Sequence, residues 1–286
     1  METIFYDALK TIGDETKLKN WRRVHGGDIN EAFYLRTEQG EYFLKFRKNC
    51  PGRFFACERT GLEALRESGA VHVPKVYGYK DGKDYGYILL EWIEGKKSDR
   101  LGEKLGRQLA NLHRIPQEFF GFPEDNYIGI LPQKNGRFAS WIEYYRECRL
   151  LPQIRMAEKK GLLPGDLRKK LDVLLENLDR YLPGQCTPSL LHGDLWGGNW
   201  IGGKNGEPYL IDPAVFYGHS EFEIAFTELF GGFPPSFYSA YQEILPLSDG
   251  YQDRKGLYQL FYLLVHVNLF GSSYVPSVKR VLEKYV

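Results

Sequence analysis

The sequence lacks the features that several classes of protein require. Its 286 residues include only four cysteines, and none of them forms a C-x-x-C pair. Their spacing suits neither a zinc cage nor a small disulfide framework, so free thiols in a reducing compartment are expected. The N-terminus has no apolar segment of the kind found in secretory signals, and no window approaches the roughly 18 apolar residues of a membrane span. We therefore expect a cytoplasmic protein with no membrane partner.

An excess of charge of one sign is also missing. Lysine and arginine number 38 and aspartate and glutamate 37, which gives a formal net charge of +1. This balance lacks the basic footprint of a nucleic-acid binder, so we expect no nucleic-acid partner. The hydrophobic content of 43%, with 15% aromatic residues, excludes a disordered chain. The length suits one large domain or two lobes.

The first third of the chain has the pattern of a small sheet. Residues 1 to about 95 alternate short β-type runs, such as EAFYLRT and EYFLKFR, with glycine-rich turns. Within them, the run FFACERTGLEALR from about residue 54 has apolar residues three and four apart, which indicates a helix. This part is predicted to be a sheet with one helix packed on it.

From about residue 98 the period of the apolar residues becomes helical. The predicted helices are 99–115, 138–150, 166–182, 221–230 and 254–270. A compact β-like stretch, SLLHGDLWGGNWIGGKNGEPYLIDPAVFYG, interrupts them with two apolar runs on either side of a turn. The fold class predicted is α+β, with an N-terminal lobe at 1–94 and a C-terminal lobe at 95–286.

This β-like stretch carries the residues that point to chemistry. Asp194 lies in His-Gly-Asp, Asn199 follows five residues later, and Asp212 lies in Leu-Ile-Asp-Pro. Phosphoryl transfer needs a carboxylate to accept the proton of the attacking hydroxyl and oxygen ligands to hold magnesium, and these three side chains supply both. The alternative interpretation is that they cap turns and helices. Their joint spacing, with an apolar run before each aspartate, favours phosphoryl transfer.

The same stretch resembles the catalytic loop and metal-binding aspartate of kinases, in the His-Gly-Asp and Asp-Pro-Ala variant of aminoglycoside-phosphotransferase-type enzymes. The strings HGDLWGGNW, IDPAVFYGHSEFEIA and LVHVNLFGSSY resemble the fructosamine kinase (ketosamine 3-kinase) family from Gly26 to Tyr274. The resemblance implies a bilobal protein-kinase-like fold, with a small N-terminal antiparallel sheet lobe, a larger mainly helical lobe and ATP in the cleft between them. It also implies ATP and Mg²⁺ as cofactors.

The resemblance assigns the nucleotide contacts residue by residue. Lys45, in the apolar run YFLKF, would contact the α- and β-phosphates, with Glu58 as its ion-pair partner and Glu63 as the less favoured choice. The backbone of Glu91, Trp92 and Ile93 would bind adenine. The phosphate loop would comprise Gly26, Gly27, Asp28, Ile29 and Asn30. Such a Gly-Gly-Asp segment also occurs in ordinary hairpins, and it has fewer glycines than G-x-G-x-x-G.

The substrate contacts implied by the resemblance are Trp196, His266 and Asn268. An indole beside the catalytic aspartate can stack on a sugar, and the other two side chains can bind sugar hydroxyls. The alternative for all three is a place in the core. His113 is expected to be a packing histidine, and His192 is expected to shape the catalytic turn.

The function implied is ATP-dependent phosphorylation of the 3-hydroxyl of ketosamines, the fructosamine and ribulosamine adducts of amines, as a protein deglycation repair. The partner would be a small-molecule or protein-bound ketosamine, and the protein itself a monomer or weak homodimer. One alternative is a kinase of another small alcohol, such as an aminoglycoside or a choline-like acceptor. Another is a nucleotide-binding regulator without catalysis.

Overall fold

The computed structural model describes residues 1–24 and 30–286. These residues divide into two compact units, each built from several stretches of chain. The first unit comprises Met1–Leu109, Gly198–Ala214 and Pro234–Ala240, and the second comprises Ala110–Gly197, Val215–Phe233 and Tyr241–Val286. The β-hairpin that follows the His-Gly-Asp motif thus belongs to the first unit. A functional boundary after residue 94 stays a prediction.

The secondary structure of the described residues is mixed, as the α+β prediction requires. The α-helices are α1 (Glu2–Lys10), α2 (Phe54–Glu67), α3 (Asp99–His113), α4 (Trp141–Tyr144), α5 (Leu151–Lys159), α6 (Gly165–Glu176), α7 (Ser220–Thr227), α8 (Pro235–Ile244), α9 (Tyr251–Phe270) and α10 (Val275–Leu282). The strands of the first sheet are β1 (Asn20–Val24), β2 (Glu31–Arg36), β3 (Glu41–Lys48), β4 (Val76–Asp81) and β5 (Tyr85–Glu91).

The remaining strands are short. They are β6 (Phe120–Phe122), β7 (Asn126–Ile128), β8 (Leu131–Gln133), β9 (Gly136–Phe138), β10 (Ser189–Leu191), β11 (Trp200–Gly202), β12 (Pro208–Leu210) and β13 (Phe216–Gly218). The β-like stretch of the sequence is therefore four strands, β10 to β13. Two of them, β11 and β12, pair with each other as an antiparallel hairpin.

The first unit is built on a five-stranded antiparallel sheet with the order β1-β2-β3-β5-β4. Side chains alternate between the two faces of a strand, so Tyr42, Leu44 and Phe46 of β3 share one face and Lys45 lies on the other. The first face forms an apolar core with α1. Its buried members are Phe5, Ala8, Leu9, Phe33, Leu35, Tyr42, Leu44, Phe46, Tyr87 and Leu89.

The sheet of the first unit has a helix that the sequence analysis missed. Alongside α2, which was predicted, α1 covers the sheet with Phe5, Ala8 and Leu9. These residues are three and four positions apart, so a helical signal is present in a segment of only nine residues. The prediction of one helix in this part is therefore corrected to two.

The second unit contains the four-stranded antiparallel sheet β10-β13-β6-β9. Strands β6 to β9 were not predicted, because strands of three residues are too short to show alternation. Helix α7 packs on α9, where the rings of Phe226 and Tyr262 stack with their centroids 3.4 Å apart. Helices α5, α8 and α10 were also missed.

A buried arginine joins the sheet of the second unit to its helices. Arg149 lies in a π-helical turn between α4 and α5 and is fully buried. Its guanidinium lies 4.0 Å from the centroid of the Phe216 ring and donates hydrogen bonds to Lys134 O at 2.7 Å and to Asn135 Oδ1 at 2.9 Å. Burial lowers the pKa of Arg149. In these contacts aromatic faces and carbonyl oxygens, in place of a carboxylate, compensate the charge of Arg149.

Among residues 1–24 and 30–286, no helix combines the length and the apolar character that crossing a membrane requires.

Replacing Leu44 with alanine tests the core between α1 and the sheet. Leu44 is fully buried there, so Leu44→Ala should lower the free energy of unfolding by about 2–5 kcal/mol, from lost burial and a new cavity. Urea unfolding followed by circular dichroism measures this loss. Val173→Ala, at an exposed position on α6, is the control and should change stability by less than about 0.5 kcal/mol. Equal losses in the two variants would contradict the packing described.

Candidate active site

The β11–β12 hairpin brings Asn199 and Asp212 to the same end. Trp200 pairs with Leu210, and the Ile211 N–H donates a hydrogen bond of 3.0 Å to the Asn199 carbonyl just beyond that pair. The chain therefore enters the hairpin at Asn199 and leaves it towards Asp212 at the same end. Asn199 is buried, whereas 41% of the Asp212 side chain is exposed.

Asp212 has an unusual backbone conformation. Its φ of +58° lies in the left-handed region, which aspartate tolerates better than most residues with a side chain. Pro213 and Ala214 follow it, after strand β12 has ended at Leu210. This turn ends the hairpin directly at the carboxylate.

Lys45 on β3 pairs with two carboxylates. It is 5% exposed, its Nζ lies 2.5 Å from Glu58 Oε1 on α2, and it also contacts Asp212 Oδ1. Burial by itself would lower the pKa of Lys45, but the carboxylates of Asp212 and Glu58 outweigh it and raise that pKa. Burial raises the pKa of Glu58, and Lys45 opposes this change. The structure thus brings Lys45, Glu58 and Asp212 together.

The structure links fewer of the other residues predicted at the nucleotide site to Lys45. Glu63 pairs with Arg59 at 3.6 Å and takes no part in the Lys45 cluster. Of the predicted phosphate loop, Gly26, Gly27, Asp28 and Ile29 lie outside the described residues. Asn30 is described, and its Oδ1 is buried without a hydrogen-bond partner among the described residues.

The predicted adenine-binding residues Glu91, Trp92 and Ile93 lie at the end of β5. Glu91 N–H donates to Lys75 O at 2.8 Å, and Glu91 Oε2 accepts a hydrogen bond from Lys75 N–H at 3.1 Å. Ile93 is half-buried. The Trp92 ring lies 4.9 Å from Tyr34 and 6.1 Å from Phe43, measured between ring centroids.

These aromatic rings lie on the Lys45 side of the sheet. Phe43 is two residues before Lys45 on β3, so the two side chains share a face. Tyr34 pairs with Phe43 across β2 and β3. The ammonium of Lys45 and an aromatic surface are therefore neighbours on one side of one sheet.

A buried carboxylate holds the His-Gly-Asp turn in the second unit. Glu223 on α7 accepts hydrogen bonds from the backbone N–H groups of His192 at 3.1 Å and Gly193 at 2.7 Å. Its Oε2 also lies 3.0 Å from His113 Nε2, and His113 Nδ1 lies 2.8 Å from the Tyr241 hydroxyl. Burial opposes ionisation, but the bond from His113 and the backbone N–H groups lower the pKa of Glu223. His113 is thus a packed, bonded histidine, as the sequence indicated.

The sequence analysis missed Glu223, although a signal was present. Glu223 stands between Phe222 and Ile224 in a helix in which every residue after Ser220 is buried. A carboxylate in such a run needs buried donors, which marks it as a structural or functional anchor. What the sequence does not show is that these donors are the amides of the turn before Asp194.

Two further contacts fix the same turn. Gly193 has a φ of +83°, a conformation that favours glycine, and its carbonyl accepts a hydrogen bond of 2.9 Å from the Tyr262 hydroxyl. Asp194 N–H donates to His192 Nδ1 at 3.3 Å, so His192 shapes the turn as expected. The turn that presents Asp194 is therefore held by α7 and α9.

The predicted substrate residues lie in different surroundings. The Trp196 side chain is 41% exposed, and the backbone N–H of Trp196 donates to the Asp194 carbonyl at 3.1 Å. His266 is half-buried on α9. Asn268, only two residues farther on, is 5% exposed and donates hydrogen bonds of 2.9 Å to Gln153 O and Oε1. The geometry therefore gives no support to a direct substrate contact by Asn268.

The hairpin is flanked by two side chains whose oxygens are of the kind that bind a hard cation. The carboxylate of Asp212 and the amide oxygen of Asn199 are of the type that Mg²⁺ binds. Asp212 already contacts the Lys45 ammonium, which shows that the position suits positive charge. In the described part of the chain, no group of three or more His, Cys, Asp or Glu side chains is arranged to hold a metal by itself. Any Mg²⁺ here would need other oxygens, such as phosphates, to complete its ligands.

The anchoring by Glu223 predicts a pH-dependent loss of stability. Glu223→Gln places an amide N–H₂ against one of the two backbone N–H donors and should lower the free energy of unfolding by about 1–3 kcal/mol at pH 7. The folded-state pKa lies below the ordinary 4.5, so the carboxylate stabilises the protein above about pH 4.5 and loses this contribution as the pH falls.

Urea unfolding of wild type and variant at pH 7 and pH 4 tests this expectation. The difference between them should be smaller at pH 4. Glu176→Gln, at an exposed position of α6, is the matched control and should show little difference at either pH. A Glu223→Gln effect that does not change with pH would contradict the assignment.

Comparison with known proteins shows which family the chain resembles. The family model "Fructosamine kinase" matches residues 1–286. The Enterococcus faecium protein named "Probable ketoamine kinase" is 42% identical over 263 residues, which cover 92% of this chain and 94% of that protein. A crystal structure from Thermobifida fusca, named "putative fructosamine-3-kinase", has 30% identity and a TM-score of 0.89, covering 99% of this chain and 98% of that one.

A more distant similarity concerns the fold alone. The aminoglycoside phosphotransferase APH(4)-Ia superposes with a TM-score of 0.66 at 14% identity, over 100% of this chain and 98% of that one. The protein-kinase-like fold predicted from the sequence is therefore confirmed. The family match extends over the whole chain and is supported by a relative well above 30% identity. The chain belongs to the fructosamine kinase family.

Proposed function

We propose that the protein is an ATP-dependent kinase that phosphorylates the 3-hydroxyl of ketosamines. The observation that carries the proposal is the buried Lys45 ammonium held by Glu58 and Asp212, with Asn199 beside Asp212 at the end of the hairpin. Kinases need a lysine that binds the phosphates of the nucleotide and oxygen ligands that hold Mg²⁺. Family membership and the names of the relatives support ketosamines as the acceptor.

The first unit supplies the nucleotide contacts in this proposal. Lys45 would bind the α- and β-phosphates, with Glu58 holding its side chain in place. The loop from Gly26 to Asn30 would present backbone amides to the phosphates. The backbone of Glu91, Trp92 and Ile93 would bind adenine, next to the aromatic surface on the Lys45 side of the sheet.

Asn199 and Asp212 would hold Mg²⁺. Their donor atoms are hard oxygens and fit this ion. When bound, Mg²⁺ would offset the negative charge of the phosphates. The chain's own contribution is to bring the two side chains together through the β11–β12 hairpin and to keep Lys45 within contact of Asp212.

Asp194 would act on the acceptor. The oxygen of the 3-hydroxyl forms a bond to the γ-phosphorus, the bond from that phosphorus to the oxygen bridging it to ADP breaks, and the hydroxyl proton passes to the Asp194 carboxylate. Glu223 and Tyr262 are positioning residues, because they hold the backbone of the turn before Asp194 without touching the reacting atoms.

Trp196 and His266 would contact the ketosamine. Asn268 is included as a proposed substrate contact from the sequence alone, because it is buried and bonded to Gln153. Phosphorylation at the 3-hydroxyl makes the adduct prone to spontaneous decomposition and frees the amine, so the proposed role is deglycation of small-molecule or protein-bound ketosamines. We propose that this takes place in the cytoplasm, in a monomer or weak homodimer with lobes at 1–94 and 95–286.

Other acceptors are less well supported. The aminoglycoside phosphotransferase shares the fold at 14% identity, which carries no information about the acceptor. A non-catalytic regulator is disfavoured because Lys45, Asp194, Asn199 and Asp212 are all present. An acceptor panel of fructosamine, ribulosamine, aminoglycoside and choline separates the candidates.

Removing the proposed base should stop the reaction. Asp194→Asn keeps the shape of the side chain but cannot accept the proton, so kcat with fructosyl-lysine should fall by about 10²–10⁴-fold. ADP release in the presence of Mg²⁺ measures the rate, and Asp166→Asn, at an exposed position of α6, serves as control. A wild-type rate in Asp194→Asn would remove this residue from its role.

Asp212→Asn tests the other half of the site. Phosphoryl transfer depends on charge stabilisation, so kcat should fall by about 10²–10³-fold or more, while the fold and much of the nucleotide affinity persist. Calorimetry of ATP binding and steady-state kinetics separate the two effects. Asp84→Asn, in an exposed turn before β5, should behave as wild type. Normal transfer in Asp212→Asn would overturn the proposed ligand role.

A further inference from the structure

A cluster of aromatic side chains surrounds His266 in the second unit. We call Phe230, Phe270 and Tyr274 the aromatic patch. Their ring centroids lie 4.6, 5.4 and 5.0 Å from that of His266. Phe230 and Phe270 are 42% and 49% exposed, so large apolar rings face solvent where burial would be expected.

The hydrogen bonding of His266 defines which of its ring nitrogens can bind a ligand. Nδ1 lies 2.8 Å from the Tyr262 carbonyl, which can only accept, so Nδ1 carries the hydrogen. Burial lowers the pKa of His266, which keeps the ring neutral near pH 7. In the neutral ring Nε2 then holds a lone pair and acts as an acceptor.

The aromatic patch is tied to the turn that carries Asp194. Tyr262, one helical turn before His266, donates its hydroxyl hydrogen bond to Gly193. On the other side of Asp194, a Cβ added to Gly197 would lie 2.7 Å from Gly231 O. The segment next to Trp196 therefore packs against the glycines that follow Phe230.

Aromatic faces and a lone pair together suit a cation that carries N–H groups. Ring faces attract positive charge, and an imidazole acceptor binds an N–H donor. A ketosamine contains such a group, because its nitrogen is a secondary alkylammonium that is protonated near pH 7, like the side chain of lysine. The corresponding free ketose has only neutral hydroxyls at that position.

We infer that the aromatic patch and Nε2 of His266 bind the secondary ammonium of the ketosamine and thereby select amine adducts over free sugars. The inference rests on the proposed function and adds the specificity residues Phe230, Phe270 and Tyr274 to it. In this inference Nε2 of His266 accepts a hydrogen bond from the ketosamine nitrogen. None of these residues takes part in bond breaking, so their effect is on binding.

A matched pair of acceptors tests the inference. N-butyl-1-amino-1-deoxyfructose carries the ammonium, and 1-O-butyl-fructose replaces it with a neutral ether of similar shape. Wild type should use the amine with a kcat/KM at least about tenfold higher. Three single variants test the patch: Phe230→Leu, Phe270→Leu and Tyr274→Leu. Each should raise KM for the amine by about threefold to thirtyfold, while kcat for the amine and kcat/KM for the ether change little.

Two further variants serve as controls. Tyr6→Leu removes an exposed ring from α1 in the first unit and should leave both acceptors unaffected. His266→Leu should raise KM for the amine, whereas His266→Gln, which keeps an acceptor oxygen, should recover part of the loss. Thermal melting of each variant checks that the fold persists.

The outcomes separate this inference from the proposed function. Equal use of amine and ether by wild type, or an equal loss for both acceptors in the Leu variants, would overturn the inference while leaving the kinase function intact. No phosphorylation of either acceptor, or of any ketosamine, would overturn the proposed function and the inference with it.

Discussion

A lysine ammonium removed from water has to be compensated, and the first unit is organised around this requirement. Lys45 is buried on the face of β3 opposite the apolar core, and its charge is balanced by Glu58 from α2 and Asp212 from the end of a hairpin. An isolated charge in such a place would be strongly unfavourable. The ion cluster thus links the sheet, the helix and the hairpin, and it places the proposed ligands of phosphate and metal in contact.

The second unit solves a similar problem with the opposite charge. The carboxylate of Glu223 is buried and is bound by two backbone N–H groups and His113. These bonds turn an irregular, glycine-containing segment into a fixed support for Asp194. Tyr262 adds a bond from α9 to the same segment. The proposed base thereby gains a rigid position although it lies outside regular structure, which is what an acid or base in catalysis requires.

The aromatic surroundings of His266 extend this organisation to the proposed binding of the ketosamine. Helix α9 carries Tyr262, which faces the turn before Asp194, and His266 one turn later. The same helix therefore sets both the support of the proposed base and the proposed recognition of the amine. Asn268, two positions beyond His266, donates hydrogen bonds to Gln153 on α5.

Several parts of the fold could be predicted because their signals are local. The strands β1 to β5 are β-type runs of five to eight residues, and α2 and α3 show an apolar face at helical spacing. Asp194, Asn199 and Asp212 stand out because rare residue types recur at a characteristic spacing. The short strands β6 to β9 and helix α1 were missed, since three residues show no period and nine give only a weak one.

The sequence by itself determined the fold class, the family and the residue types available for phosphoryl transfer, because these depend on patterns within short segments. Only the tertiary structure decided that Lys45 meets Asp212, which lies 167 positions later, that Glu223 binds the turn before Asp194, and that three aromatic rings surround His266. Such contacts join distant segments, and their partners are selected by burial and by the need to satisfy buried charge. Neither condition can be evaluated until the chain has folded.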